Sequence, residues 1–183
     1  MKKSLLSLVL LSAVSAAGVS FSANAASNTS TVTLSGIISA STCDIDVNGV
    51  SGGTRVDTGV HAVADFNGNA NNYIGTPVPM KVTVKNCDPA GAATTGSTGW
   101  LYVSGTTASN GNNNIFVGSD STTGFMILNE SSSPVVNDVP VSMNLPADAT
   151  TASYDFTAAM ASMTEAPAAG LYTAPVVIAY ATE

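Results

Sequence analysis

Positive charge is scarce in this chain: five lysines and arginines stand against twelve acids in 183 residues, a formal net charge of −7. Phosphate contacts need clustered Lys and Arg, so nucleic acid is excluded as a partner. Histidine is scarcer still, with His61 alone, so no His-rich metal cluster can form and GVHAV supplies no acid–base or nucleophile context. We read His61 as an exposed or cross-strand residue. Two cysteines are too few for a Cys/His zinc set, and the Asp44–Asp46 pair lacks the further ligands of a calcium loop. That pair reads as a solvated strand end entering the Asn48-Gly49 turn. The sequence calls for no metal, no cofactor and no catalytic residue.

Charge of either sign makes up only 9% of the chain, while Thr, Ser, Asn, Ala and Gly dominate. A surface covered by neutral polar groups suits an extracellular wall or fibre better than a metabolic enzyme. Residues 1–25 supply the compartment: Lys2 and Lys3, an apolar run from Leu5 to about Val19, and Ala23-Asn24-Ala25 as a small-residue cleavage site read as a secretory signal peptide. Beyond them only Arg55, Lys81 and Lys85 remain as cations. In an oxidising compartment the cysteine pair, Cys43 and Cys87, makes one disulfide. Closing a loop of roughly 45 residues stabilises a fold by about 4 kcal/mol in the chain-entropy view.

Helical periodicity is missing too. PVPMKVTVKNC alternates Val78, Met80, Val82 and Val84 against Pro79, Lys81, Thr83 and Lys85, a half-buried strand. TVTLSGIIS, WLYVSG, GFMILN and PVVNDVPVSMNL read as further strands, separated by loops such as DVNGVSGGTR and FNGNANN. YDFTAAMASM has helix-forming residues, but Tyr154, Phe156, Ala158 and Met160 alternate and Pro167 follows, so it too reads as strand. Trp100 and Tyr102 share a strand face and read as core packing, and Met126, Met143, Met160 and Met163 as core filler. The last strand, GLYTAPVVIAYATE, places Tyr172, Ala174, Val176, Ile178 and Tyr180 on one face. Several short strands without a helical period predict an all-β sandwich of one domain. They also leave a question: an apolar final strand presents a backbone edge that something must cover.

Several ordered motifs resemble the pilin subunits of chaperone-usher fimbriae. TVTLSGIISASTC resembles the pilin opening, with Gly36 seven residues before the first cysteine; VKNCD resembles the strand that carries the second; TGFMILN resembles the mid-chain strand. YDFTAAM is similar to the Phe-x-Ala-x-aromatic pattern, with Met160 at the aromatic position, and Gly170 stands fourteenth from the end. The resemblance implies an incomplete immunoglobulin-like β-sandwich lacking its C-terminal strand, completed by a donor strand from a neighbouring subunit. It implies three segments: a signal peptide over 1–25, a donor-strand extension over 26–36 and a pilin domain over 37–183. Asn28, Ser30, Val32, Leu34 and Gly36 would be the donor face, and Tyr172, Ala174, Val176, Ile178 and Tyr180 the acceptor groove. The partners it implies are a periplasmic pilus chaperone, the outer-membrane usher and other copies of the chain or related pilins. The function it implies is a non-enzymatic structural subunit of an adhesive fimbria on the surface of a Gram-negative bacterium, exported through the periplasm. An alternative is a subunit with its own glycan- or protein-binding site, for which Trp100 and Tyr102 are the aromatic candidates, meeting a host receptor.

Overall fold

Eight strands run in chain order as β1 (Asp44–Val47), β2 (Val50–Ser51), β3 (Asn72–Lys85), β4 (Ser97–Gly105), β5 (Thr123–Leu128), β6 (Val141–Leu145), β7 (Ala152–Ser162) and β8 (Val176–Thr182). The computed structural model describes residues 43–87, 97–109, 111–146 and 149–182. One 3-10 turn, Val63–Phe66, is the only helical element among them. The segment TVTLSGIIS and the donor face from Asn28 to Gly36 lie outside the described residues.

The strands form two antiparallel sheets, one ordered β2-β1-β3-β7-β5 and the other β6-β4-β8. From β3 onward each successive strand changes sheet, so the core is built between the sheets and every strand presents one face to it. Met80, Val82 and Val84 of β3 are buried as their alternation predicts. They meet Phe156 of β7 and, across the sandwich, Leu101 and Val103 of β4. β1 pairs only with Val82–Lys85, so Pro77 and Pro79 fall where β3 keeps one strand neighbour, the place a strand proline is tolerated. The tight connection from β1 to β2 turns through Asn48 and Gly49, both at positive φ (50° and 79°), as an Asn-Gly hairpin requires.

The YDFTAAMASM stretch is a strand, paired with β3 on one side and β5 on the other. Its outward residue Ala161 is also buried, because the segment after β4 folds over it. Ala108, Ile115 and Val117 form a second apolar cluster with Met126, Leu128 and Ala161. The Cys43–Cys87 disulfide is formed and ties the start of β1 to the end of β3.

Three readings are corrected by the strands themselves. Trp100 and Tyr102 are not core residues: Leu101 and Val103, both 0% exposed, take the inward face of β4, which turns the two aromatics outward and leaves them half-buried. Asp46 is not a solvated strand end, since it is buried and ion-paired with Lys85 at 2.6 Å while accepting a hydrogen bond from the Ser51 hydroxyl. The alternation of the last strand begins at Tyr172, but ladder pairing begins only at Val176 because β4 ends at Gly105, its partner.

Candidate functional site

β8 pairs with β4 along its length, and its other edge has no strand partner among the described residues. Beside that edge an open groove of about 1010 Å³ separates the two sheets. One wall is the face predicted from the alternation: Tyr172, Ala174, Val176 and Ile178 all line it. Tyr180 shares the face but does not line the groove. Its ring sits deeper, at 8% exposure, against Gly99 of β4, and it belongs to the core rather than to the opening.

The opposite wall and floor come from the five-stranded sheet. Ile45 and Val47 of β1, Met80 of β3, Phe125 and Ile127 of β5, and Ala158 and Met160 of β7 line it, with Phe116 from the folded-over segment. Ala158 and Met160 were legible in the alternation of β7. Ile45, Val47 and Phe116 carried no signal as groove residues, because their neighbours in sequence are polar turns or a continuous apolar run. Small Ala158 sits between Phe156 and Met160 on the inward face of β7, so the floor deepens there.

The segment 52–61 closes one flank, and its anchoring explains why a stretch without secondary structure holds a wall. The His61 ring rests on Gly75, where an added Cβ would stand 2.7 Å from its Cε1, and Gly75 adopts a φ of +71° at the irregularity between Ile74 and Val78. His61 Nε2 lies 2.9 Å from the Thr58 carbonyl, and the Asp57 carboxylate accepts from the Gly59 amide at 2.9 Å. His61 is thus a partly buried anchor of this loop and not a cross-strand residue. On the β8 flank the Tyr172 hydroxyl donates to the Ala168 carbonyl at 2.5 Å, holding the chain in the turn that leads into the groove.

Apart from Arg55, Asp57 and His61 on this loop, no ionisable side chain besides tyrosine lines the groove among the described residues. Among the described residues no group of three or more His, Cys, Asp or Glu could hold a metal. What the groove offers is a seven-residue stretch from Tyr172 to Ile178, of which Val176–Ile178 is strand, with side-chain pockets on one face. An unpaired ladder edge above apolar pockets is complementary to one further strand.

Comparison with known proteins agrees with this geometry. The family model described as "Fimbrial protein" matches residues 32–180. Among solved structures, the rod subunit PapA of the P pilus superposes with a TM-score of 0.60 at 14% identity, covering 77% of this chain and 99% of that one. A subunit from the structure of a chaperone-usher pilus that addresses rod uncoiling superposes with a TM-score of 0.57 at 14% identity, covering 86% of this chain and 98% of that one. No curated protein matches by sequence. The sandwich is therefore the immunoglobulin-like fold of these subunits without its C-terminal strand, and the groove lies where that strand is missing.

Proposed function

The chain belongs to the fimbrial protein family, and from that premise we propose that it is a structural subunit of an adhesive fimbria which polymerises by strand exchange. The observation that carries this reading is the unpaired edge of β8 beside an apolar groove of about 1010 Å³. The occupant is the N-terminal extension of a neighbouring copy. Within it Asn28, Ser30, Val32, Leu34 and Gly36 point one way, with Val32 and Leu34 as the apolar plugs. Burying both contributes roughly 3 to 6 kcal/mol before costs, and the new ladder pairs the open backbone edge.

Every strand pair among the described residues is antiparallel. An inserted strand running antiparallel to β8 continues that pattern. Tyr172, Ala174, Val176 and Ile178 receive it, and Tyr180 supports them from the core. Because groove and extension are different surfaces, the contact does not close into a dimer but propagates as a filament. Before exchange a periplasmic chaperone covers the groove, and the outer-membrane usher is where one occupant replaces the other. Residues 1–25 direct the export this route needs.

The test is self-complementation. Residues 26–38 are appended after Glu183 through a short linker and the native extension is removed. The expected product is a stable monomer, while the same chain without the appended strand melts far lower and needs the chaperone. Equal melting of the two would overturn the proposal.

A second reading has an observation of its own. Trp100 and Tyr102 stand side by side on the outer face of β4, opposite Ala181 and Ala179, half-exposed and away from the core. Aromatic faces among small neighbours can stack on a sugar ring, which would make the subunit itself a ligand binder. Glycan binding lost on Trp100→Ala without loss of folding supports it, and a fully retained profile removes it.

A further inference from the structure

A strand lying in the groove covers its floor, yet the rim is apolar as well. Of the large apolar side chains exposed on the surface, Val60 (101%), Leu171 (83%), Val50 and Val63 all border this groove. Three of them gather at one end. Val60 and Val63 flank the His61 anchor on Gly75, next to Ile74, which pairs with Met160 near the end of β7. Leu171 precedes Tyr172 and lies with Gly118, Asp120 and Thr123, the last paired with Ser162. That end is where β8 is entered.

The length of the chain says what comes to rest there. An occupant antiparallel to β8 leaves the groove at the entry of β8 with its own C-terminal end, the end joined to its folded domain. From Gly36 to the disulfide at Cys43 the chain has seven residues, which reach at most about 25 Å when fully extended. The body of the donating copy is therefore held within that distance of Val60 and Leu171. We infer that the folded domain of the donating copy seats on this rim, with Val60, Val63 and Leu171 as its apolar contacts. The inference rests on the reading of the groove as the acceptor of a second copy's extension.

So small a patch falls far below the roughly 1,200 Å² of a self-standing interface. Once the strand is inserted the contact is intramolecular in effect, and the high local concentration makes a weak patch count. Its role is to slow the release of the joint and to restrict its bending, not to bring subunits together.

The test compares Val60→Asp/Leu171→Asp with the wild type in the full chain, purified as its chaperone complex and as fibres. Val139→Asp is the control, since Val139 is 49% exposed but does not border the groove. A synthetic peptide of residues 26–38 should displace the chaperone from all three at rates within about twofold. Fibres of the double variant should dissociate in guanidinium about tenfold faster than the other two, as expected for a joint weakened by about 1.4 kcal/mol. Equal dissociation with normal peptide exchange overturns the rim contact and leaves the groove reading standing. Failure of the peptide to enter the wild-type groove overturns that reading and the rim contact with it. Loss of chaperone binding by the double variant, with fibre dissociation unchanged, overturns the inference by assigning the rim to the chaperone.

Discussion

Gly99 and Tyr180 fit closely in the core where β4 meets β8. A Cβ at Gly99 would collide with the Tyr180 ring, so β4 can pass over that ring only with no side chain at this position. We expect Gly99→Ala to destabilise the chain by about 1 to 3 kcal/mol in urea unfolding, with the loss much smaller when Tyr180→Val is also present. Additive losses would show that the two residues do not meet. The Tyr180 hydroxyl has no hydrogen-bond partner among the described residues, and burial raises its pKa above the ordinary 10.0. Tyr180→Phe should therefore leave stability nearly unchanged or slightly improve it. The alternation of GLYTAPVVIAYATE sufficed to put Tyr180 on the same face as Ile178. It held no information on depth, which is set by Leu101 and Gly99 of β4 lying beside Tyr180 and Thr182.

The hairpin of β1 and β2 shows how an element is held against a neighbour by a charge. Asp46 is covered by Ser51 of β2 and by Lys85, diagonal to it on β3. Hydrogen bonds from Lys85 and Ser51 lower the Asp46 pKa from its ordinary 3.8. A carboxylate whose pKa falls on folding adds stability above its unfolded value and loses it as pH falls through the folded one. The Thr122 and Thr123 amides lower Asp120 in the same direction at the start of β5. Melting temperature should thus be flat near pH 7 and fall below about pH 4. Asp46→Asn should melt lower than wild type at pH 7, by a gap that narrows as pH falls below 3.8. A gap that stays constant through the acid range would show that the charge is not what holds the hairpin. None of this was visible in DIDVNGVS, because the partner of Asp46 lies 39 residues away and reaches it only through strand pairing.

At the scale of the molecule, the sandwich was legible wherever one face of a strand is buried, as in β3, β7 and β8. It was illegible where a segment is buried on both sides. Ile115, Phe116 and Val117 are all but fully buried, Ile115 and Val117 in the second cluster and Phe116 in the main core, so no polar position marks a face. The groove floor was legible in part, through Ala158 and Met160, while the wall at 52–61 depends on His61 meeting Gly75, a contact no pattern announces. The disulfide spans the sheet that carries one side of the groove, so Cys43→Ser with Cys87→Ser should cost about 2 to 5 kcal/mol in guanidinium unfolding. An unchanged midpoint would show that the strand pairing of β1 suffices. On the proposal that the extension serves a neighbour's core, Val32→Asp should leave chaperone binding intact and abolish fibres; normal fibres would refute that role. The remaining edges show what kind of building block results. β5 is capped by the Phe116 and Pro134 bridges, β2 has two residues, and β6 has five between Pro140 and Pro146. Among the described residues only β8 offers a long open ladder beside apolar pockets. With the extension as the tongue for this slot, as proposed above, such a particle would have a valence of two and a polarity. Copies of it at high local concentration would then add end to end in a single direction, where blunt-edged sandwiches would stay apart and many-edged ones would gel.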